Sequence, residues 1–90
     1  MDNVLKAPSK QEQLKQQWEK IPVKIIKQAL VKQDLNYIDL SKRLAEMGIA
    51  DPEENIRNKM ARGRFSAILF LQYLKALGVK NINLEDLFNE

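Results

Sequence analysis

From Pro22 to Asp34 the apolar residues recur at helical spacing: Val23, Ile26 and Leu30, with Ile25 and Ala29 beside them, form one stripe, while Lys24, Lys27 and Lys32 fall outside it. This pattern predicts a first core helix. Ahead of it, Ser9 followed by Glu12 matches a capping box, so a helix is expected from about Lys10 through Leu14 and Trp18. Pro22 then kinks that helix or opens a second one, because proline removes a backbone donor and crowds the preceding turn. Residues 1–8 are expected to fray, 9–21 to form an accessory amino-terminal helix, and 22–90 to form the main domain.

Asn36 is placed to cap the next helix, in which Ile38, Leu40, Leu44 and Met47 alternate with Asp39, Lys42, Arg43 and Glu46 until Gly48 supplies a left-handed stop. Asp51-Pro52-Glu53-Glu54 combines an N-cap Asp, a proline at the first helical position and an acid at the third, which predicts a helix over 52–62 ending at Gly63. Ser66 caps another helix, whose Ile68, Leu69, Phe70, Leu71 and Leu74 are dense enough to predict a central position; Gly78 ends it. Asn83 before Leu84-Glu85-Asp86-Leu87-Phe88 makes a last short turn, its acids at the favourable end of the helix dipole. No segment reads as a convincing strand. The expected fold is all-α, a compact bundle of five short helices plus the extra amino-terminal helix.

With 90 residues, 44% of them hydrophobic, the chain has material for one core and little for a deep ligand cavity. The absence of Cys and His removes disulfides, thiolate nucleophiles, zinc-thiolate sites and the commonest general base. The paired acids Glu53/Glu54 and Glu85/Asp86 sit at helix starts, where capping and the dipole account for them, and no glycine-rich phosphate loop is present. An enzyme is therefore the least favoured class, and no cofactor, metal or small-molecule substrate is expected. The longest apolar run, Ala67 to Leu71, is far shorter than the about 20 residues that span a bilayer, and Met1-Asp2-Asn3 lacks a leader's basic and apolar regions. A cytoplasmic protein without a membrane partner is the expectation.

Charge changes the picture only through its distribution. The chain carries 15 basic and 12 acidic residues, a formal charge of +3, yet Arg57, Lys59, Arg62 and Arg64 lie in eight residues with no anion, leaving 11 basic against 12 acidic elsewhere. The excess is local. On the helix 52–62, Ile56 and Met60 define a narrow buried strip; with Ile56 at 0°, Glu54 falls at about 160°, Asn58 at about 200°, Arg62 at about 240° and Asn55 at about 260°. These four are expected to face outward, with Arg57 and Lys59 on the flanks. Asn pairs bidentately with adenine and Arg with guanine in the DNA major groove, which admits one helix. A plain solvated basic face is the duller reading of the same residues.

Leu40-Ser41-Lys42-Arg43-Leu44, then Gly48, Ile56, Met60, Arg62-Gly63 and Ala76-Leu77-Gly78-Val79 resemble the phage repressor and Cro type of helix-turn-helix domain over about residues 23–88. The run from Asn55 to Val79 also resembles a small uncharacterised bacterial domain family. Against the first family, Ser41 stands where a small Ala is usual, and the connector from Gly48 to Ile56 is longer than the family's tight turn. A rotated or displaced recognition helix is expected from that length. The resemblance implies a sequence-specific double-stranded DNA-binding protein, a small transcriptional regulator that inserts helix 52–62 in the major groove. It implies base reading by Asn55, Asn58 and Arg62, and phosphate contacts from Asn36, Tyr37, Lys42, Arg57, Lys59, Arg64 and Ser66. Asn36 and Ser66 are N-caps first, and the duller readings of Tyr37 and Lys42 are a partly buried packing residue and a plain surface lysine. Because one short helix offers a small footprint, a homodimer is expected, with Leu14 and Trp18 as its candidate contact; packing of Trp18 beside Ile25 is the alternative.

The main rival is a helical protein–protein interaction module, antitoxin-like or an antirepressor, whose basic strip binds an acidic partner. RNA ranks lower, because single-strand recognition displays aromatic platforms, whereas Phe65, Phe70, Tyr73 and Phe88 mostly fall on core stripes.

Overall fold

The computed structural model describes residues 10–88 and is all-α. Its helices are α1 (Lys10–Glu19), α2 (Ile21–Gln33), α3 (Tyr37–Glu46), α4 (Glu53–Arg62), α5 (Ala67–Ala76) and α6 (Leu84–Phe88), with no strand among the described residues. The frayed segment expected over 1–8, the Ser9 half of the first capping box and the Phe88 side chain lie outside what is described.

The helix ends follow local chemistry. Asn36 accepts from the Asp39 amide at 2.8 Å while the Asp39 carboxylate accepts from the Asn36 amide at 3.0 Å, a complete capping box. Ser66 accepts from the Leu69 amide at 3.1 Å, and Asn83 from the Glu85 amide at 3.1 Å. Asp34 ends α2 in the left-handed region at φ 58°, a role more often given to glycine. Gly63 ends α4 at φ 74°.

The core is one cluster. Ile21, Ile25, Ile26 and Leu30 from α2 meet Leu40 and Leu44 from α3, Ile56 and Met60 from α4, and Tyr73, Leu74, Leu77 and Leu87 from the carboxy-terminal half. α3 packs against both α4 and α5, and α5 also meets α2. By contrast α1 contributes nothing to this cluster: residues 11–18 are all exposed, and α1 continues into α2 through Lys20, which is still αR at φ −82°. Pro22 therefore stands at the second position of a restarted helix, where its missing donor costs least. Ile21, expected at the end of the accessory helix, is buried and belongs to α2.

Two expectations about α5 and α3 fail for one reason. Ile68 and Leu71 are 70% and 61% exposed, and Ile38 and Met47 are also open to solvent. α5 is apolar on more sides than its neighbours cover: α2 and α3 take the face of Tyr73 and Leu74, with Leu69 and Phe70 half-buried. Density of apolar residues predicted a central helix, but the packing directions decide which of them are inside.

Candidate nucleic-acid interface

α4 begins one residue later than the sequence suggests. Pro52 is its N-cap and makes no side-chain capping bond, so the expected N-cap role of Asp51 is not realised. Asp51 instead turns inward and is only 5% exposed. Its carboxylate accepts from Lys59 Nζ at 3.0 Å on both oxygens and from the Tyr73 hydroxyl at 2.7 Å, and its backbone carbonyl accepts from Ser41 Oγ at 2.7 Å. The connector between α3 and α4 is thereby tied to α3, α4 and α5 at a single residue. Burial first, then the hydrogen bond to Asp51 and its negative charge, push the Tyr73 phenol well above its usual range.

With α4 held there, its apolar strip is sealed, Ile56 and Met60 being 0% and 4% exposed. The opposite side carries Glu54, Asn55, Asn58 and Arg62, all exposed, as the helical spacing predicts. The amide and guanidinium groups of Asn55, Asn58 and Arg62 are thus presented on one face of a helix that spans the outside of the bundle.

The cations around that ridge differ from one another. Arg57 bonds Glu53 one turn earlier. Lys59, expected at a phosphate, is half-buried and committed to Asp51, so its position is that of an internal strut. Arg64 lies 3.8 Å from Glu19 of α1, with 77% of its side chain exposed. Such an open, long pair contributes little to stability. Among the described residues Arg62 has no ion-pair partner within bonding distance. Asn36 and Ser66 are N-caps, Tyr37 is half-buried against the core, and Lys42 is exposed on α3. Leu14 and Trp18 stand exposed on α1 at 49% and 54%, so Trp18 does not pack into the core beside Ile25.

Two concavities flank the bundle. The larger, about 890 Å³, lies between α2 and the segment from Leu77 to Leu87; Arg43 bridges its rim by donating to Gln33 Oε1 at 3.2 Å and to the Ala76 carbonyl at 3.4 Å. The smaller, about 360 Å³, runs between the α1–α2 junction and the carboxy-terminal end of α4, with Val23 and Met60 among its lining residues. Sequence reasoning missed both the Asp51 cluster and this groove, whose α1 side is formed by Gln16, Glu19 and Lys20. A clue for the first exists only in retrospect, since a tyrosine on an apolar stripe needs a partner for its hydroxyl.

Residues 18–82 match the family described as Domain of unknown function (DUF6471). The chain belongs to this family. The match covers α2 through α5 and the segment after it, so the core, the Asp51 cluster and the α4 ridge all fall inside the family's extent, while most of α1 precedes it. No curated protein and no solved structure matches the chain. No helix among the described residues is long and apolar enough to cross a membrane.

Proposed function

We propose that this protein is a sequence-specific double-stranded DNA-binding protein, a small transcriptional regulator that reads the major groove with α4 in a helix-turn-helix arrangement. The observation that carries this reading is the α4 ridge: Asn55, Asn58 and Arg62 are exposed together on a helix whose other face is locked into the core. Asn and Arg are the side chains that make bidentate contacts to adenine and guanine edges. Lys42 and the α3 amino terminus at Asn36 and Tyr37, on the helix that packs against α4, would supply phosphate contacts in such an arrangement. Two copies related by a two-fold axis would double the short footprint, with Leu14 and Trp18 as the contact.

The test is fluorescence anisotropy with random and genomic duplexes over a salt series. Salt-sensitive binding that rises above the random background on particular fragments supports the reading. Asn58→Ala and Arg62→Ala should keep the helical circular dichroism of the parent and lose the preference for those fragments. Retained preference in both variants would refute base reading by α4.

A second reading is favoured by the exposed Ile68 and Leu71, apolar side chains on α5 that contact with DNA does not explain. These features suit a helical interaction module with a protein partner. No duplex binding at low salt, with capture of an acidic protein that Ile68→Asp or Arg62→Glu abolishes, would select it.

A further inference from the structure

We infer that the groove between the α1–α2 junction and the carboxy-terminal end of α4 seats a phosphodiester backbone of double-stranded DNA, so that α1 acts as an arm extending the footprint of α4. This rests on the DNA-binding reading and specifies where the duplex lies.

Charge along α4 is polarised. Glu53 and Glu54 occupy its first turn, and Lys59 and Arg62 its last. Two of the α4 cations already have carboxylate partners in the chain, Arg57 with Glu53 and Lys59 with buried Asp51. What remains for an anion is Arg62 and Arg64 at the far end, and across the groove from them stands Lys20. Three cations therefore line a 360 Å³ concavity against one carboxylate, Glu19. Cations at the carboxy-terminal end of a helix are expected from the dipole, Arg62 on α4 and Lys20 just after α1 alike, but neither dipole dictates that the two ends meet in one concavity. The groove is built by two separate segments that converge with the same sign.

Its one anion is weakly held. Glu19 and Arg64 are 3.8 Å apart and both in contact with water, so a phosphate oxygen competes for the guanidinium with little to displace. The terminal carbonyls of α4 carry partial negative charge, which places the phosphate out among the side chains of Arg62, Arg64 and Lys20 and not against the backbone. Gln16, one turn before Lys20, adds an amide donor. By helical spacing Gln16, Glu19 and Lys20 lie roughly opposite Leu14 and Trp18 on α1. The arm can therefore face DNA on the side away from Leu14 and Trp18.

The experiment uses the full chain and a random-sequence duplex, titrated by anisotropy over a fourfold range of salt. Each phosphate contact is worth roughly three- to fourfold in affinity over that range. Lys20→Gln should weaken binding and lower the log–log salt slope by about one. Glu19→Gln should do the opposite, tightening binding by freeing Arg64, which loss of a structural contact does not produce. Lys32→Gln, on the other side of α2, should change neither quantity beyond about a few tenths in slope. Circular dichroism checks that all three variants fold. If the parent binds duplexes but Lys20→Gln and Glu19→Gln match it, or if Lys32→Gln loses as much as Lys20→Gln, the groove is overturned while the α4 reading stands. If the parent binds no duplex at low salt, both fall.

Discussion

Asp51 is the residue on which three helices converge, and its environment makes the sharpest predictions at the scale of single side chains. Tyr73→Phe removes a 2.7 Å hydrogen bond to a buried carboxylate and should cost about 1.5–3 kcal/mol, read as a lower denaturant midpoint at unchanged slope. Asp51→Ala should cost more, because it strands the Lys59 ammonium and the Tyr73 hydroxyl together. Lys59→Ala should act through stability before it acts on any ligand. Tyr73 also sets an alkaline limit. Its phenol is raised in the folded state above the ordinary value near 10, so the stabilisation is complete below about pH 10, where both states keep the proton. Above that, the unfolded chain releases the proton and the folded one holds it. Stability should therefore fall with pH beyond about 10, and Tyr73→Phe should flatten that fall in pH-dependent denaturation. The motif Asp51-Pro52-Glu53-Glu54 read as a helix cap because local sequence contains no trace of Tyr73, 22 positions away.

Among the elements, α4 was the most legible. The alternation of Ile56 and Met60 with polar residues fixed both its inner strip and its outer ridge, since 100° per residue needs no knowledge of the partner helix. Gly63, left-handed at φ 74°, should lose about 1 kcal/mol on replacement by Ala, with the α4 end frayed in hydrogen exchange. α5 was legible as a helix but not as a packed body. Leu74→Ala should cost about 2–5 kcal/mol, the usual range for emptying a core position, whereas Ile68→Thr and Leu71→Gln should stay within about 0.5 kcal/mol in the same denaturation assay. That contrast arises because α2 and α3 pack on the face of α5 that carries Leu74 and leave Ile68 and Leu71 uncovered.

For the molecule as a whole, the uneven role of α1 is the organising fact. It adds no residue to the core yet flanks the groove beside α4. A helix of 10 residues is marginal by itself in water, and its continuity with α2 through Lys20 supplies the nucleus it lacks. If Leu14 and Trp18 join two copies, Leu14→Lys with Trp18→Ser should halve the mass in sedimentation equilibrium and leave the bundle's thermal midpoint nearly unchanged. A parent protein that sediments as a monomer at all concentrations would remove the dimer and restrict the footprint to one α4 and its arm.

The all-α class, the approximate helix limits, the caps at Asn36, Ser66 and Asn83, and the outward face of α4 were all legible in the amino-acid order, because each depends on spacing and chemistry within a few residues. The packed bundle was needed to show that Asp51 is an internal anchor, that Lys59 serves it, that Ile68 and Leu71 are exposed, and that Lys20, Arg62 and Arg64 line one groove. These depend on which surfaces meet, a property of the closed bundle and not of any one helix.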